Sequence, residues 1–348
     1  MNVAVSLNGE GSGHATRMAA LCQGLSGEHR VSLLCPDHTW DRLRPRFPDF
    51  DFTPIPYLRT IYRYNSVDVG RTLVFNSGHF LRRPWTTRRL ADRLQDMGIQ
   101  ALISDYEPFG PLAAKRAGIP VLLFNHQGVV DTHRSLKPSW LLAWFINRVM
   151  MPYGNAHITS SFYNGDVGPL IRQEVTGKTP TRGDFVFVYA REAFREHVVP
   201  ALGRFPDTNF RVFPSGHSSF TDSLASCLGI VAPAGHQLIS ECLSLGKPLL
   251  VFPQQGQYEQ ELNARMLAAS GWGMIGSIRR LPRALERFLA ALDRFPLHQP
   301  STGVRYCLHD DAPRAVRLVD EWLRQAVHSE KRAATHQAVT RHTPATLR

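Results

Sequence analysis

Short apolar runs bounded by polar or turn-forming residues recur along the chain and alternate with segments of helical period. The run Val3–Leu7 stands near the start, and the apolar residues from Ala15 to Leu25 follow it with the spacing of a helix. Leu249–Phe252 is a continuous apolar run preceded by a proline, which is typical of a strand buried on both faces. The stretch from Ala101 to Phe124 has the order strand, polar turn, helix, strand. This alternation predicts an α/β fold built on parallel sheets.

The predicted elements fall into two halves, each of which begins with a strand: Val3–Leu7 in the first half and Phe185–Tyr189 in the second. A chain of 348 residues exceeds the usual size of one hydrophobic core, and 43% hydrophobic residues can bury two. A segment rich in glycine and proline separates the halves and reads as a linker. The predicted organisation is a first domain over 1–163, a linker over 164–184, a second domain over 185–311, a final helix over 312–330 and a disordered tail over 331–348.

Composition narrows the classes of protein that the chain can represent. Its five cysteines are far apart and show neither a C-x-x-C pair nor zinc-ligand spacing, which favours reduced thiols in a cytoplasm. No apolar run approaches 18 residues, and the first strand begins at Asn2, so we expect neither a membrane span nor a signal peptide. The net charge is +11, but no RNA- or DNA-binding signature accompanies it. We expect a cytoplasmic protein that does not bind nucleic acid.

A glycine-rich turn links the first strand to the first helix and ends in His14. Such a turn brings backbone N–H groups close to a ligand in the cleft, which makes Gly11, Ser12 and Gly13 a candidate phosphate loop. A dinucleotide-binding fingerprint would place glycine where His14 stands. An imidazole here can accept a proton from an attacking hydroxyl, although a polar turn residue is the simpler interpretation of a lone histidine.

Two carboxylates follow the strand Ala101–Ser104, at the edge of the sheet where ligands bind. Asp105 could hydrogen-bond the imidazole of His14 and fix its tautomer. Glu107 is then a competing base. Asp105 could equally cap the next helix, because aspartate is a strongly favoured N-cap residue.

The segment from Gly235 to Ala264 has the order helix, buried strand, Gln-rich loop and helix. The N–H groups at a helix start attract phosphate, so the helix that begins at Gly235 suits a diphosphate. Glu241, inside that helix, can accept both hydroxyls of a ribose. Neutral amides and acceptors suited to sugar hydroxyls follow the strand, at Gln257, Glu259 and Gln260.

Residues 9–17, 103–125 and 233–271 resemble the corresponding regions of GT-B glycosyltransferases. The resemblance is strongest to the family-28-like branch, which includes the peptidoglycan GlcNAc transferase. It implies two Rossmann-like domains with parallel sheets that face a central cleft, and a final helix that crosses back to the first domain. It also implies a hexosyl- or hexosaminyltransferase that uses a nucleoside diphosphate sugar, with a UDP-sugar as the family-based expectation for the donor.

The same resemblance assigns roles to residues. His14 is implied to be the general base, oriented by Asp105, on an acceptor hydroxyl. Gly235 and His236 would face the diphosphate, Glu241 the ribose, and Glu259 and Gln260 the donor sugar. The segment that contains Ser215 would approach the base of the nucleotide. No acidic D-x-D motif stands at a strand end, so nothing in the sequence requires a metal or another cofactor.

Arginines and aromatic residues interleave between Tyr57 and Arg89, and a second aromatic segment spans Trp140–Ile146. One interpretation is a surface that rests on anionic headgroups at the inner membrane face and receives a lipid-linked or anionic acceptor. The other is a solvated basic face beside an ordinary core helix. No motif encodes the acceptor.

Three alternatives to a transferase remain open at this level. A nucleotide-sugar epimerase or hydrolase on the same fold would keep the donor residues and need no acceptor surface. A dinucleotide-dependent oxidoreductase would use Gly9, Gly11 and Asp37. His14 argues against it, because it stands where the dinucleotide-binding fingerprint has glycine. A non-catalytic subunit that binds a partner glycosyltransferase is the third.

Overall fold

Two parallel β-sheets, one in each half of the chain, form the centre of the molecule, as the sequence pattern predicts. The computed structural model describes residues 1–63, 66–190, 192–215, 219–300 and 302–341. The strands are β1 (Asn2–Leu7), β2 (Arg30–Cys35), β3 (Asp51–Pro54), β4 (Tyr62–Arg63), β5 (Ser66–Val67), β6 (Ala101–Asp105), β7 (Val121–Asn125), β8 (Ala156–Thr159), β9 (Phe185–Tyr189), β10 (Asn209–Phe213), β11 (Gly229–Pro233), β12 (Leu249–Phe252) and β13 (Gly273–Ile275).

Helices connect the strands and cover both faces of each sheet. They are α1 (Gly13–Leu25), α2 (Asp37–Leu43), α3 (Val69–Asp96), α4 (Phe109–Ala117), α5 (Val129–Thr132), α6 (Pro138–Met150), α7 (Gln173–Thr176), α8 (Glu192–Leu202), α9 (Phe220–Ser226), α10 (His236–Ser244), α11 (Tyr258–Ala269), α12 (Leu281–Leu289) and α13 (Ala312–Arg341). No helix in the described part of the chain combines the length and the apolar content needed to cross a membrane.

The strand order creates a crevice in each sheet. The first sheet has the order β3-β2-β1-β6-β7-β8, and the second has the order β10-β9-β11-β12-β13. In each sheet the chain builds outward from its first strand and then returns to place a later strand on that strand's other side. Ligands bind at such topological switch points, beyond the carboxyl ends of the strands. The loops after β1 and β6, and those after β9 and β11, are therefore placed to form a site.

The strands are apolar on both faces because helices cover both. In β12 all four residues, Leu249–Phe252, are buried, and Val3, Ala4 and Val5 of β1 are fully inaccessible. Burial of one such aliphatic side chain contributes about 1.5–3 kcal/mol. These runs therefore fix which segments become central strands.

The last helix, α13, packs on the first domain although it follows the second domain in sequence. Its residues Ala315, Val319 and Leu323 recur every four positions and lie in the same hydrophobic cluster as β1 and α1. Gly24 lets α1 and α13 approach closely, since a methyl group there would lie 2.4 Å from Val316 Cγ2. The chain thus crosses back from the second domain to the first.

The segment predicted to be a disordered tail begins within the last helix of the structure. Helix α13 continues to Arg341, over the first part of the segment 331–348 that the sequence predicts to be disordered. Alanine, arginine, lysine and glutamine dominate 331–341, and these residues favour helix without any apolar period. Residues 342–348 lie outside the described part of the chain.

Side chains anchor the segment 164–184 near both of its ends. The backbone N–H groups of Gly168 and Ile171 donate to Asp311 (2.7 Å) and Asp310 (2.8 Å), just before α13. At its other end, the ammonium group of Lys247 donates to the carbonyl oxygen of Thr181. The connection between the domains is therefore held in place by side chains at each end.

Candidate active site

The first half of the site lies where β1 and β6 leave the sheet side by side. Leu7 pairs with Asp105 in the parallel register, and the N–H of Asn8 donates to the carbonyl oxygen of Asp105 at 3.1 Å. The turn after β1 and the turn after β6 therefore begin in contact. Side chains from both turns meet in the crevice of the first sheet.

The glycine-rich turn after β1 is held by its carbonyl oxygens. His38 Nε2 lies 2.9 Å from the carbonyl oxygen of Gly9, and Arg42 donates to that of Gly11 at 3.0 Å. Gly11 has φ +69°, which favours glycine, and a methyl group at Gly9 would lie 2.8 Å from Pro36 Cγ. The path of this turn therefore favours glycine at Gly11 by its φ and at Gly9 by the close approach of Pro36.

His14 and Asp105, which the sequence predicts to act together, are in contact. His14 Nδ1 lies 3.1 Å from Asp105 Oδ1, and the Asp105 side chain is fully buried. Burial alone would raise the pKa of Asp105, but Arg17 and His14 outweigh it and hold that pKa below its usual value. The carboxylate is ionised and lies within ion-pair distance of the His14 imidazole. In the tautomer with the proton on Nδ1, that proton faces Asp105 and Nε2 carries the free lone pair.

Arg17 is a member of this group that the sequence argument missed. Its Nη2 donates to both oxygens of Asp105, at 2.6 and 2.8 Å, and lies 3.2 Å from His14 Nδ1. Only 3% of the Arg17 surface is exposed. The signal was present in the sequence, because residues three apart on a helix lie on the same face, and Arg17 follows His14 by three.

Glu107 does not compete with Asp105 for His14. Its carboxylate accepts hydrogen bonds from Ser6 Oγ and from the N–H groups of Phe109 and Gly110, the latter at 2.8 Å. It therefore caps α4, the role that the sequence left open for Asp105. Gly110 permits this, since a methyl group there would lie 2.4 Å from Ser6 Oγ.

The buried cap predicts a stability that depends on pH. Burial raises the pKa of Glu107 from 4.5 to about 7, although hydrogen bonds from Ser6, Gly110 and Phe109 oppose the shift. Between pH 4.5 and 7 the folded state then binds more protons than the unfolded state, so its stability falls as the pH rises. We expect the free energy of unfolding of the wild type, relative to Glu107→Gln, to fall by about 3 kcal/mol over this range. Urea denaturation of both proteins at pH 4.5 and 7.5 measures this change. An equal difference in unfolding free energy between wild type and Glu107→Gln at both pH values would contradict the prediction.

The second half of the site begins at the switch point of the second sheet, where β11 leads into α10. Gly235 is the N-cap of α10, and no side chain caps the helix start. His236 follows and is buried, with its ring stacked on His126 of the first domain at 3.7 Å between centroids. Burial first, and then His126, Arg17 and His14, hold the pKa of His236 well below its usual value. His236 is therefore a neutral side chain at the start of this helix.

The hydrogen bonds of His236 define its tautomer. Nε2 accepts from the N–H of Phe162 at 3.3 Å, and the hydroxyl of Ser240 donates to the His236 carbonyl oxygen at 2.8 Å. The proton must then reside on Nδ1, which has no hydrogen-bond partner among the described residues. A buried N–H donor is thus left unpaired at the first residue of the helix.

Glu241 lies further along α10, and its carboxylate is paired with a residue of the linker. Arg172 Nη2 donates to Glu241 Oε2 at 2.7 Å, and Gln237 Nε2 lies 3.4 Å from Oε1. The Arg172 guanidinium also lies 5.1 Å from the ring centroid of Phe220. Burial raises the pKa of Glu241, and Arg172 opposes that shift. The sequence predicts the position of this carboxylate but not its partner.

Glu259 of α11 faces the first domain. Gln127 Nε2 donates to Glu259 Oε2 at 3.1 Å, and His126 Nε2 lies 3.9 Å from Oε1. Asn263, one turn along α11, accepts from His126 Nε2 (2.9 Å) and from the Tyr163 hydroxyl (2.8 Å). Polar side chains of both domains therefore meet around the carboxylate predicted to bind the donor sugar.

The remaining predicted donor residues are placed as follows. Gln260 Nε2 donates to Gln257 Oε1 at 2.6 Å and to Gln254 Oε1 at 2.8 Å, so the amides of this loop hold one another. Ser215 is exposed just after β10. The rest of the segment predicted to approach the nucleotide base includes residues 216–218, which lie outside the described residues.

The two halves of the site are in contact with each other. The turn before α1 meets the start of α10, because a methyl group at Gly13 would lie 3.5 Å from Gln237 Cβ. His14 and Arg17 also act on the pKa of His236 from the opposite domain. Among the described residues no group of three or more His, Cys, Asp or Glu side chains is placed to hold a metal ion. The arrangement offers a proton acceptor on one wall and a helix start with a free N–H donor on the other.

Comparison with known proteins shows which family this chain matches. Residues 1–293 match the family model described as glycosyl transferase family 1. An uncharacterized glycosyltransferase of Methanosarcina acetivorans is 23% identical over 82% of this chain and 88% of its own length. Another, from Methanosarcina mazei, is 22% identical over 91% of this chain and 97% of its own length.

Solved structures show the same fold at low sequence identity. The glycotransferase of kitacinnamycin superposes with a TM-score of 0.58 at 14% identity, over 92% of this chain and 98% of its own. MurG of Acinetobacter baumannii superposes with a TM-score of 0.57 at 14% identity, over 92% of this chain and 100% of its own. Glycosyltransferase VinC in complex with dTDP superposes with a TM-score of 0.51 at 15% identity, over 94% of this chain and 100% of its own. The predicted GT-B fold is confirmed.

Proposed function

Since the chain belongs to glycosyl transferase family 1, and is a glycosyltransferase of GT-B fold, we propose that it transfers a hexosyl or hexosaminyl unit from a nucleoside diphosphate sugar to an acceptor hydroxyl. The observation that carries the proposal is the pairing of His14 with buried Asp105 opposite the start of α10. A base on one domain and a phosphate-binding helix start on the other are the two parts that the reaction needs.

In the proposed donor complex the diphosphate lies at the start of α10. The free N–H groups of that helix, together with the unpaired Nδ1–H of His236, donate to the phosphate oxygens. The turn Gly11–Gly13 approaches from the other domain. Both bind the leaving group more strongly as its negative charge grows, which lowers the barrier to transfer.

Glu241 binds the ribose in this proposal. Arg172 holds one of its oxygens at 2.7 Å in the structure, so the guanidinium must shift for a ribose to take both oxygens. Glu259 and the amides of Gln257 and Gln260 then bind the hydroxyls of the donor sugar, at the point where Gln127 reaches α11.

The chemical step is a single displacement. The acceptor oxygen attacks the anomeric carbon, and the bond from that carbon to the diphosphate oxygen breaks. The proton of the acceptor hydroxyl passes to His14 Nε2, while Asp105 accepts the hydrogen bond from Nδ1–H and stabilises the imidazolium. Attack on the face opposite the leaving group inverts the anomeric configuration.

The acceptor side of the proposal concerns the surface of α3. Leu73, Val74, Leu81 and Trp85 of this helix are 59–76% exposed. No acidic residue occurs between Val69 and Ala91, whereas five arginines do. An apolar and basic helix of this kind suits peripheral contact with anionic headgroups, and hence a lipid-linked or anionic acceptor.

The donor assignment is tested by thermal shift with nucleoside diphosphates and their sugars, with UDP and dTDP included. A ligand at 100 times its Kd stabilises the native state by about 2.7 kcal/mol. If Glu241→Gln weakens binding about 100-fold through loss of the ribose contacts, that stabilisation falls to about 0.4 kcal/mol. We expect one diphosphate to raise the melting temperature of the wild type and to have almost no effect on Glu241→Gln.

Glu286→Gln, an exposed glutamate of α12, is the matched control and should respond as the wild type does. A panel in which no nucleotide stabilises the wild type would refute the donor site. Release of free sugar without any acceptor would instead identify a hydrolase on the same fold.

A further inference from the structure

Arg17 makes contacts that the proposed reaction does not use. Its Nη2 reaches both oxygens of Asp105 and lies 3.2 Å from His14 Nδ1, while the side chain is 3% exposed. Its Nε is buried and has no hydrogen-bond partner among the described residues. A buried guanidinium is costly to desolvate, and this one is set against the carboxylate on which the base depends.

The charges around His14 give Arg17 a second effect. From its own helix His14 faces Arg17, from the turn after β6 it faces Asp105 and Tyr106, and from α10 of the other domain it is influenced by His236. Burial raises the pKa of Tyr106, and burial together with His126, Arg17 and His14 lowers the pKa of His236, so both side chains are neutral. The charges of Asp105 and Arg17 therefore oppose each other at His14.

Glu10, like Glu259 and Asp131, is an acidic group whose charge acts on Tyr106 beside His14. It belongs to the turn before α1 and accepts a hydrogen bond from Thr60 Oγ1 at 2.6 Å. Its carboxylate is thus engaged by the segment after β3, while Asp105 is the carboxylate in contact with the imidazole.

We propose that Arg17 is a positioning residue that holds Asp105 beside His14 and offsets the charge of Asp105, so that the imidazolium is favoured less than it would be beside Asp105 alone until an anionic donor binds. The inference rests on the proposed function. A base must be unprotonated before it can act. With Asp105 neutralised by Arg17, proton uptake by His14 leaves a net positive group, and the diphosphate of a bound donor supplies the charge that balances it.

The test is an NMR titration of the imidazole Cε1–H of His14, assigned with a His14→Gln variant. Removal of a neighbouring positive charge favours the protonated imidazole. We therefore expect the pH at which half of His14 is protonated to be higher in Arg17→Met than in the wild type. Arg17→Lys keeps the charge, so its value should stay near that of the wild type. Asp105→Asn should move it in the opposite direction.

A purely structural Arg17 makes a different prediction. In that case Arg17→Met would release Asp105 from His14, and half-protonation would occur at the same or a lower pH, which would overturn the proposal. Arg17→Lys retains a cation beside Asp105. The pH of half-protonation of His14 can therefore be compared between the wild type and this variant even if Arg17→Met folds poorly.

Addition of saturating UDP to the wild type provides the second arm. The diphosphate should raise the pH of half-protonation, because its negative charge favours the imidazolium. If UDP leaves the whole spectrum unchanged, the proposed donor is wrong. The comparison of the Arg17 variants is made without ligand, so it remains decisive for Arg17 in that case.

Discussion

Replacement of His14 by alanine is expected to lower kcat for sugar transfer by about 10²- to 10⁴-fold, the usual contribution of a general base. His14 Nε2 is the proposed proton acceptor, and the structure gives it a buried carboxylate partner at 3.1 Å through Nδ1. The side chain is only 13% exposed, and the predicted donor contacts of α10 and α11 do not include it. Affinity for the nucleoside diphosphate should therefore stay within a few-fold of the wild type. Release of nucleoside diphosphate from the donor with acceptor in excess measures kcat, and calorimetry measures the affinity.

His197→Ala is the matched control for this experiment. His197 is exposed on α8 of the second domain, so its loss should leave both kcat and affinity unchanged. Full turnover in His14→Ala would remove the histidine from the chemistry. An equal loss of donor binding and turnover would make it a binding residue instead of a base.

The fold could be predicted from the sequence because its central strands are short apolar runs with clear boundaries. Val3–Leu7 and Phe185–Tyr189 lie in the central part of their sheets, and Leu249–Phe252 is buried at every residue. Covering helices on both faces leave such a segment no exposed face, which is why the pattern is continuous. The end of α13 was not predictable in the same way, because residues 331–341 favour helix through composition alone.

The first half of the site could be predicted because strand order controls it. His14 and Asp105 follow β1 and β6, and neighbouring parallel strands bring the ends of their loops together. The sequence favoured Asp105 as the partner of His14, but it could not exclude Glu107 or show which carboxylate caps α4. That distinction depends on which carboxylate the N–H groups of Phe109 and Gly110 engage, and that is a matter of backbone path.

The partners that cross between segments distant in sequence were beyond a pattern argument. Arg172 belongs to the linker and reaches Glu241 across 69 positions, and Gln127 reaches Glu259 across 132. No periodicity or motif records such a contact, because it arises only when segments distant in sequence pack together. The carboxylates of α10 and α11 could therefore be located from the sequence, while the side chains that pair with them could not.

Substitution of Asp105 by alanine is expected to destabilise the protein by about 3–5 kcal/mol, the cost of leaving a buried charge without its partner. Arg17 is 3% exposed and directs Nη2 at both oxygens of Asp105. The native fold of Asp105→Ala must either keep an uncompensated guanidinium in the interior or open the packing around α1 to hydrate it. The free energy of unfolding in urea, with helix content followed by circular dichroism, measures the loss.

The double variant Arg17→Met/Asp105→Ala separates the charge from the packing. Removal of both partners of a buried ion pair is often close to neutral, whereas removal of one is severe. We therefore expect the double variant to regain at least half of the stability that Asp105→Ala loses, with a coupling energy of about 2 kcal/mol or more. Equal stabilities of the single and double variants would mean that the loss comes from the cavity left by Asp105. In that case Asp105 would stabilise the fold by filling space between the two turns, and its ion pair with Arg17 would contribute little to stability.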